Sequence, residues 1–235
     1  MSTQILNYSV ENDIAMLAMD DGKANALGHA MIGEINAALD RAQNEAKAVL
    51  ISGRDKRFCA GFDLEVMASG PDNVRKLVGA GAELLMRIYE YPLPVVIACT
   101  GHALAAGGLL LLAGDVRVGA EGAFKIGLPE VAIGMTLPIF GLELARDRLA
   151  RNRFTEAVTQ ARVYGPAEAA AIGYLDEAVP AAALMETARA RAAALAALPQ
   201  PAFSGTKRKE RAVTIAHIRA TLAADSGTFD GAKTR

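Results

Sequence analysis

The sequence predicts an α/β fold with a helical C-terminal region, and three observations predict it. Short apolar runs at Ile14–Met19, residues 48–51, Val95–Cys99 and residues 116–119 alternate with longer segments whose apolar residues recur at helical spacing. That rhythm is the signature of an α/β layer with right-handed crossovers. Two of the runs lead toward glycine-containing turns ahead of a helical start, one around Gly61 and one around Gly107. After Pro138 the chain reads as helical, and from about Met185 it becomes rich in Ala, Arg and Lys.

Taken in order, residues 5–10 and Ile14–Met19 read as an opening hairpin, with Glu11, Asn12 and Asp13 suited to its turn. Met31, Ile32, Ile35, Ala38, Leu39 and Ala42 then fall on one face of a helix. Residues 48–51 form a buried strand that Gly53 ends, and Arg54, Asp55 and Lys56 make a charged turn before residues 57–64. Val74, Leu77, Val78, Gly81, Leu84, Leu85 and Ile88 mark a second amphipathic helix, which Pro92 and Pro94 terminate because proline cannot continue it. The strand Val95–Cys99 leads into residues 101–130, which hold a greasy helix over 109–113 and then the strand 116–119. Further helices are expected over 139–149, 154–160, Pro166–Ile172 and 182–198, with a last one beyond Pro199 and Pro201. The expected division is a core over residues 1–184 and a helical region over 185–235.

Composition removes several function classes. A chain of 235 residues that is 52% hydrophobic can bury a substantial core, and a formal net charge of -1 gives no global attraction to nucleic acid or an anionic membrane. The start has no charged segment followed by an apolar one, and residues 109–113 are too few to span a bilayer. A soluble, cytoplasmic protein is expected. Cys59 and Cys99 make neither a disulfide framework nor a metal cluster, and His29, His102 and His217 are scattered, so no metal is expected. No strand is followed by GxGxxG, which argues against a dinucleotide site.

The chemistry is concentrated between Gly101 and Glu130. Gly107 and Gly108 lack a Cβ, so a ligand could lie against the main chain there. None of residues 105–109 is proline, and a helix start with free N–H donors stabilises negative charge. The turn around Gly61 offers a second set of donors. The stretch closes on Glu130 in a Gly-Leu-Pro-Glu turn, flanked by Leu128, Val131 and Ile133, surroundings that should raise its pKa. Without further context, a glutamate beside proline is a surface turn residue.

Together, Lys23-Ala24-Asn25-Ala26-Leu27, Phe58-Cys59-Ala60-Gly61-Phe62-Asp63-Leu64, residues 101–115, Gly127-Leu128-Pro129-Glu130 and Gly165-Pro166-Ala167-Glu168-Ala169 resemble the enoyl-CoA hydratase/isomerase family, the crotonases. The resemblance runs over residues 13–198 and implies a crotonase-like spiral of ββα units, assembled as a homotrimer or a dimer of trimers through the region 185–235. It implies an acyl-CoA substrate, with no separate cofactor because coenzyme A is part of that substrate, and neither a nucleic-acid nor a membrane partner. By motif position, the backbone N–H groups of Phe62 and Ala106 would hold the thioester oxygen as it becomes an enolate. Lys23, Ala24, Ala26, Ala60, Asp63 and Leu64 fall where the family lines its CoA path, and Gly61, Gly107 and Leu109 complete the expected binding set. Ala105 and Ala106 replace a more glycine-rich turn.

The family's hydratases position water between two glutamates. In this sequence the first place falls on Leu109 and the second on Glu130. Leucine cannot hold or activate water. The pattern is similar to that of the isomerases that convert 3-enoyl-CoA to 2-enoyl-CoA, in which Glu130 would remove a proton from C2 and return it to C4. The alternatives are a weak single-glutamate hydratase, or a catalytically silent acyl-CoA-binding subunit. Asp63 reads as a helix cap and His102 as a satisfied buried histidine, while Cys59 has no activating histidine beside it in sequence. Arg146, Arg148, Arg151 and Arg153, with Lys207, Arg208 and Lys209, read as solvated or subunit-facing surface.

Overall fold

A computed structural model describes residues 4–226, and in it the strand pairs and helices wind into two sheets. β1 (Leu6–Glu11) and β2 (Ile14–Met19) form the opening hairpin. Its turn places Asn12 at φ 51 and Asp13 at φ 64, the left-handed pair that a two-residue hairpin needs and that these residues tolerate. α1 (His29–Glu45) buries the six residues that its spacing predicts. β3 (Ala48–Ser52) is buried throughout, and β4 (Lys56–Cys59) is followed by the single turn α2 (Leu64–Met67) and by α3 (Pro71–Glu90).

β5 (Val95–Cys99) and β6 (Gly101–Leu104) precede α4 (Ala106–Ala113), and β7 (Val116–Ala120) and β8 (Ile126–Gly127) follow it. Then come α5 (Ile139–Arg148), α6 (Phe154–Val158), β9 (Val163–Tyr164), α7 (Pro166–Ile172), β10 (Glu177–Val179), α8 (Leu184–Ala196) and α9 (Gln200–Ser226).

The larger sheet runs β1-β2-β3-β5-β7-β10 and the smaller β4-β6-β8-β9. Each of the pairs β3–β4, β5–β6 and β7–β8 therefore gives one strand to each sheet, which is the expected spiral of ββα units. Apart from the hairpin, neighbours in the larger sheet are parallel, and its central strands β3 and β5 are buried on both faces, with sequences that are almost wholly apolar. One face packs on α1, α3 and α4. The other, formed by Ile14, Met16, Leu50, Val96, Ala98 and Val118, is covered by Leu184, Ala188 and Ala192 of α8.

Four strands escape the sequence reading. β6 lies inside the stretch read as a ligand turn, and β8, β9 and β10 are two or three residues long, too short to display a period of two. The segment after Pro138 is thus helical with two strands threaded through it. α9 packs on α3 and α5 with Ile218 fully buried. The expected C-terminal region extends to residue 235, and residues 227–235 lie outside the described ones. Among the described residues no helix is long and apolar enough to cross a membrane, and no group of His, Cys, Asp and Glu is placed to hold a metal ion.

Candidate active site

A cavity of about 500 Å³ opens where the two glycine-containing turns meet the segment after β8. Ala60, Phe62 and Leu64 line it from the first turn, Leu104, Ala105 and Leu109 from the second, and Glu130, Leu137 and Phe140 from the segment leading into α5. Asp225 reaches it from the last turn of α9.

The first turn is held in place by the Lys23–Leu27 motif. Asn25 is fully buried at φ 52, and its Nδ2 donates to the carbonyls of Met19 and Phe58 at 3.0 and 3.2 Å. Ala60 N–H donates to Ala24 O, and an isolated bridge joins Leu27 to Phe62. That bridge uses Leu27 N–H to Gly61 O and Asp63 N–H to Leu27 O, so Phe62 N–H takes no part in it. Gly61, at φ 109, brings the two turns together: a Cβ there would stand 3.1 Å from Ala105 Cβ and 3.7 Å from Ala106 N. Ala106 is the first residue of α4, in the turn whose N–H groups have no acceptor within their own helix.

Ala105 is strained. It sits at φ 52 and ψ -123, a region that L-residues rarely enter, and donates its N–H to Gly127 O at 3.0 Å. Gly107 and Gly108 serve packing. A Cβ would lie 2.1 Å from Cys59 O at the first and 2.9 Å from Gly127 O at the second. The Cβ side of each glycine therefore faces the protein's own main chain, and α4 can press against β4 and β8.

Glu130 follows β8 and begins a short 3-10 turn. It is 7% exposed, and its Oε2 is buried with no partner among the described residues. Burial pushes its carboxyl up to about 7, opposed only by its own N–H. Leu109 is 1% exposed, and its side chain lies where a Cβ on Gly141 would touch it at 3.2 Å, so α5 backs this wall of the cavity.

The remaining candidates separate clearly. Asp63 caps α2 by accepting Glu65 N–H at 2.9 Å. Lys23, Ala24 and Ala26 do not line the cavity; they lie along the loop that braces Ala60. Burial pushes the Cys59 thiol up to about 12, and His102 Nδ1 accepts Lys125 N–H at 3.0 Å outside the cavity. Two residues expected at the surface are instead internal. Arg148 donates to the Leu112 and Gly114 carbonyls and so satisfies the end of α4. Lys207 is 5% exposed and pairs with Asp115 at 2.7 Å, because α9 docks on the core there. Sequence reasoning missed Asp225, which no local motif marks, and the structural weight of Asn25, for which the Lys-Ala-Asn-Ala-Leu motif was a signal.

This fold, with its pocket at the junction of two donor-bearing turns, is that of the crotonase-type enzymes of acyl-CoA metabolism. The chain belongs to the enoyl-CoA hydratase/isomerase family, whose model matches residues 9–233. It is 36% identical over 216 residues to a probable enoyl-CoA hydratase of Rhodobacter capsulatus, covering 88% of this chain and 81% of the relative. It superimposes on the apo enoyl-CoA isomerase of Mycobacterium tuberculosis with a TM-score of 0.91 at 38% identity, over 96% of this chain and 99% of that one. Human mitochondrial delta3-delta2-enoyl-CoA isomerase is similar at a TM-score of 0.92 and 26% identity, over 96% and 90% of the two chains.

Proposed function

We propose that this protein is an isomerase that shifts the double bond of a 3-enoyl-CoA to give the 2-enoyl-CoA. The observation that carries the reading is Leu109, a fully apolar wall in the same cavity as Glu130. A hydratase needs a second carboxylate there to hold water, and a leucine excludes water instead. In this reading Glu130 takes a proton from C2, and the N–H groups of Phe62 and Ala106 stabilise the dienolate oxygen. Each donor of that kind is worth about 3–4 kcal/mol in the transition state. Glu130 then delivers the proton to C4. A carboxyl near neutrality suits both steps, since it must accept and release the same proton. The isomerase name of the human structure supports the reading, the Mycobacterium tuberculosis protein is named an isomerase in one structure and a probable hydratase in another, and the name of the Rhodobacter relative points to hydration.

One observation favours a second reading, weak hydration. Asp225 is another carboxylate lining the cavity, though it accepts Ile139 N–H at 2.7 Å and caps α5. Parallel assays of 3-enoyl-CoA isomerisation and 2-enoyl-CoA hydration separate the two. Fast hydration without detectable isomerisation reverses the order. Near-full isomerase activity in Glu130→Gln removes Glu130 from its role. Light scattering of the purified protein tests the trimer that the resemblance implies.

A further inference from the structure

Gly79 and Gly81 both lie in the interior of α3, where glycine is disfavoured relative to alanine. Their surroundings differ. A Cβ on Gly79 would meet nothing within 4 Å, whereas a Cβ on Gly81 would lie 2.2 Å from Cε1 and 2.5 Å from Cζ of Phe62. The side chain missing at Gly81 is therefore the seat of one aromatic ring, and that ring belongs to the turn at which the cavity opens.

The seat continues a wall of the cavity. Val74 and Val78 of α3 line the cavity. Gly81 comes next on the same helical stripe and is buried, yet it does not line the cavity, while Phe62 does. α3 thus presents two valines and then, one turn further on, the edge of the Phe62 ring in place of a side chain of its own. Phe62, Met67, Val74, Val78, Leu109 and Leu137, all apolar, border the same space, which suits a hydrocarbon chain.

We propose that Gly81 and Phe62 together set the acyl-chain length that this site accepts: the notch at Gly81 lets the ring lie back against α3 and keeps the apolar end of the cavity open. The inference rests on the acyl-CoA reading of the cavity, whichever reaction follows. Non-bonded carbon atoms rest about 3.5–4.0 Å apart, so Gly81→Ala requires the ring edge to withdraw by more than about 1 Å. α3 does not yield in its place, because Leu77, Leu84, Leu85 and Ile88 are packed in the core. Phe62 is only partly buried and borders open space, so its ring turns into the cavity and shortens it. In Phe62→Leu the side chain ends near the position of the ring's Cδ1, 3.6 Å from the same Cβ, which is ordinary contact. That variant should accept either residue at the notch.

Titration calorimetry with saturated butanoyl-, octanoyl- and dodecanoyl-CoA measures the space without turnover. In Gly81→Ala the Kd of the two longer ligands should rise about tenfold, the worth of roughly two buried methylenes, with that of butanoyl-CoA within about twofold of the parent. Gly79→Ala, on the same helix, should match the parent on all three. Phe62→Leu should bind dodecanoyl-CoA at least as tightly as the parent, and adding Gly81→Ala to it should change no Kd by more than about twofold. Unchanged or equally weakened binding of all three ligands in Gly81→Ala overturns the proposal, as does the same chain-length loss in the double variant. If a melting curve shows that Gly81→Ala does not fold, Phe62→Ala decides: removal of the ring should raise dodecanoyl-CoA affinity relative to butanoyl-CoA, and an unchanged ratio overturns the proposal. Saturated chains undergo neither isomerisation nor hydration, so these outcomes are separate from the assays of Glu130. A parent that binds none of the three would instead remove the acyl-CoA reading itself, and the inference with it.

Discussion

Asp225 accepts the backbone N–H of Ile139 at 2.7 Å, so the last described turn of α9 fixes the first turn of α5 at the edge of the cavity. Leu137 and Phe140, which line that edge, depend on this bond for their position. Asp225→Ala removes a helix-capping acceptor and should cost about 1 kcal/mol in urea melts. Its KM for enoyl-CoA should rise with kcat largely kept, whereas Asp225→Asn, which retains an acceptor, should stay near the parent.

Glu130 ties activity to a loss of stability. Burial raises its carboxyl from 4.5 to about 7, so between those values the folded state holds a proton that the unfolded chain has released. Stability therefore falls as pH rises through that window, and the deficit is complete above pH 7. Glu130→Gln should gain about 3 kcal/mol over the parent at pH 8 and nothing at pH 4. Chemical denaturation at the two pH values checks this, alongside the loss of isomerase activity.

Leu109→Glu tests the other side of the site. It places a second carboxyl in the cavity that Glu130 lines, where water could be held between them. The ratio of hydration to isomerisation should rise, read directly from product composition on both substrates. Burying an unpaired polar group at a position 1% exposed should also cost about 1–3 kcal/mol of stability, so the comparison is made well below the melting temperature.

Ala105 carries strain that a glycine would relieve. At φ 52 and ψ -123 the methyl group opposes the backbone, at a cost of about 1–3 kcal/mol. The extra entropy of unfolded glycine offsets up to about 1 kcal/mol of the relief. Ala105→Gly should accordingly stabilise the protein by about 1 kcal/mol, seen as a rise in melting temperature. Ala105→Val should reverse the sign, because a branched Cβ tolerates this backbone still less.

The sequence made the centre of the main sheet legible because β2, β3 and β5 are almost wholly buried and so read as apolar runs. α1 was legible through one stripe of six residues, all of them buried. Glu130, Leu109 and the turn at Gly61 could be located because short motifs fix backbone turns at known spacing. The smaller sheet was not legible, since β8 and β9 are two residues each and owe their form to their neighbours. Asp225 carries no local signature either. It reaches the cavity wall opposite its own sequence neighbours only because α9 docks on α5. Lys207 was misread as surface because nothing beside it in sequence announces Asp115.

Asp115 takes both of its cationic partners from α9: Lys207 at 2.7 Å and Arg211 at 2.8 Å, while its own neighbourhood supplies the N–H of Val95. The nearer partner lies 92 residues further along the chain. On a translating ribosome the large sheet can therefore be assembled while a carboxylate at the foot of α4 still waits, uncompensated, for residues not yet made. When α9 arrives it neutralises that charge and, through Asp225, brings in the last wall of the pocket. One helix, synthesised after both sheets, therefore carries the partners of Asp115 and the carboxylate that lines the pocket.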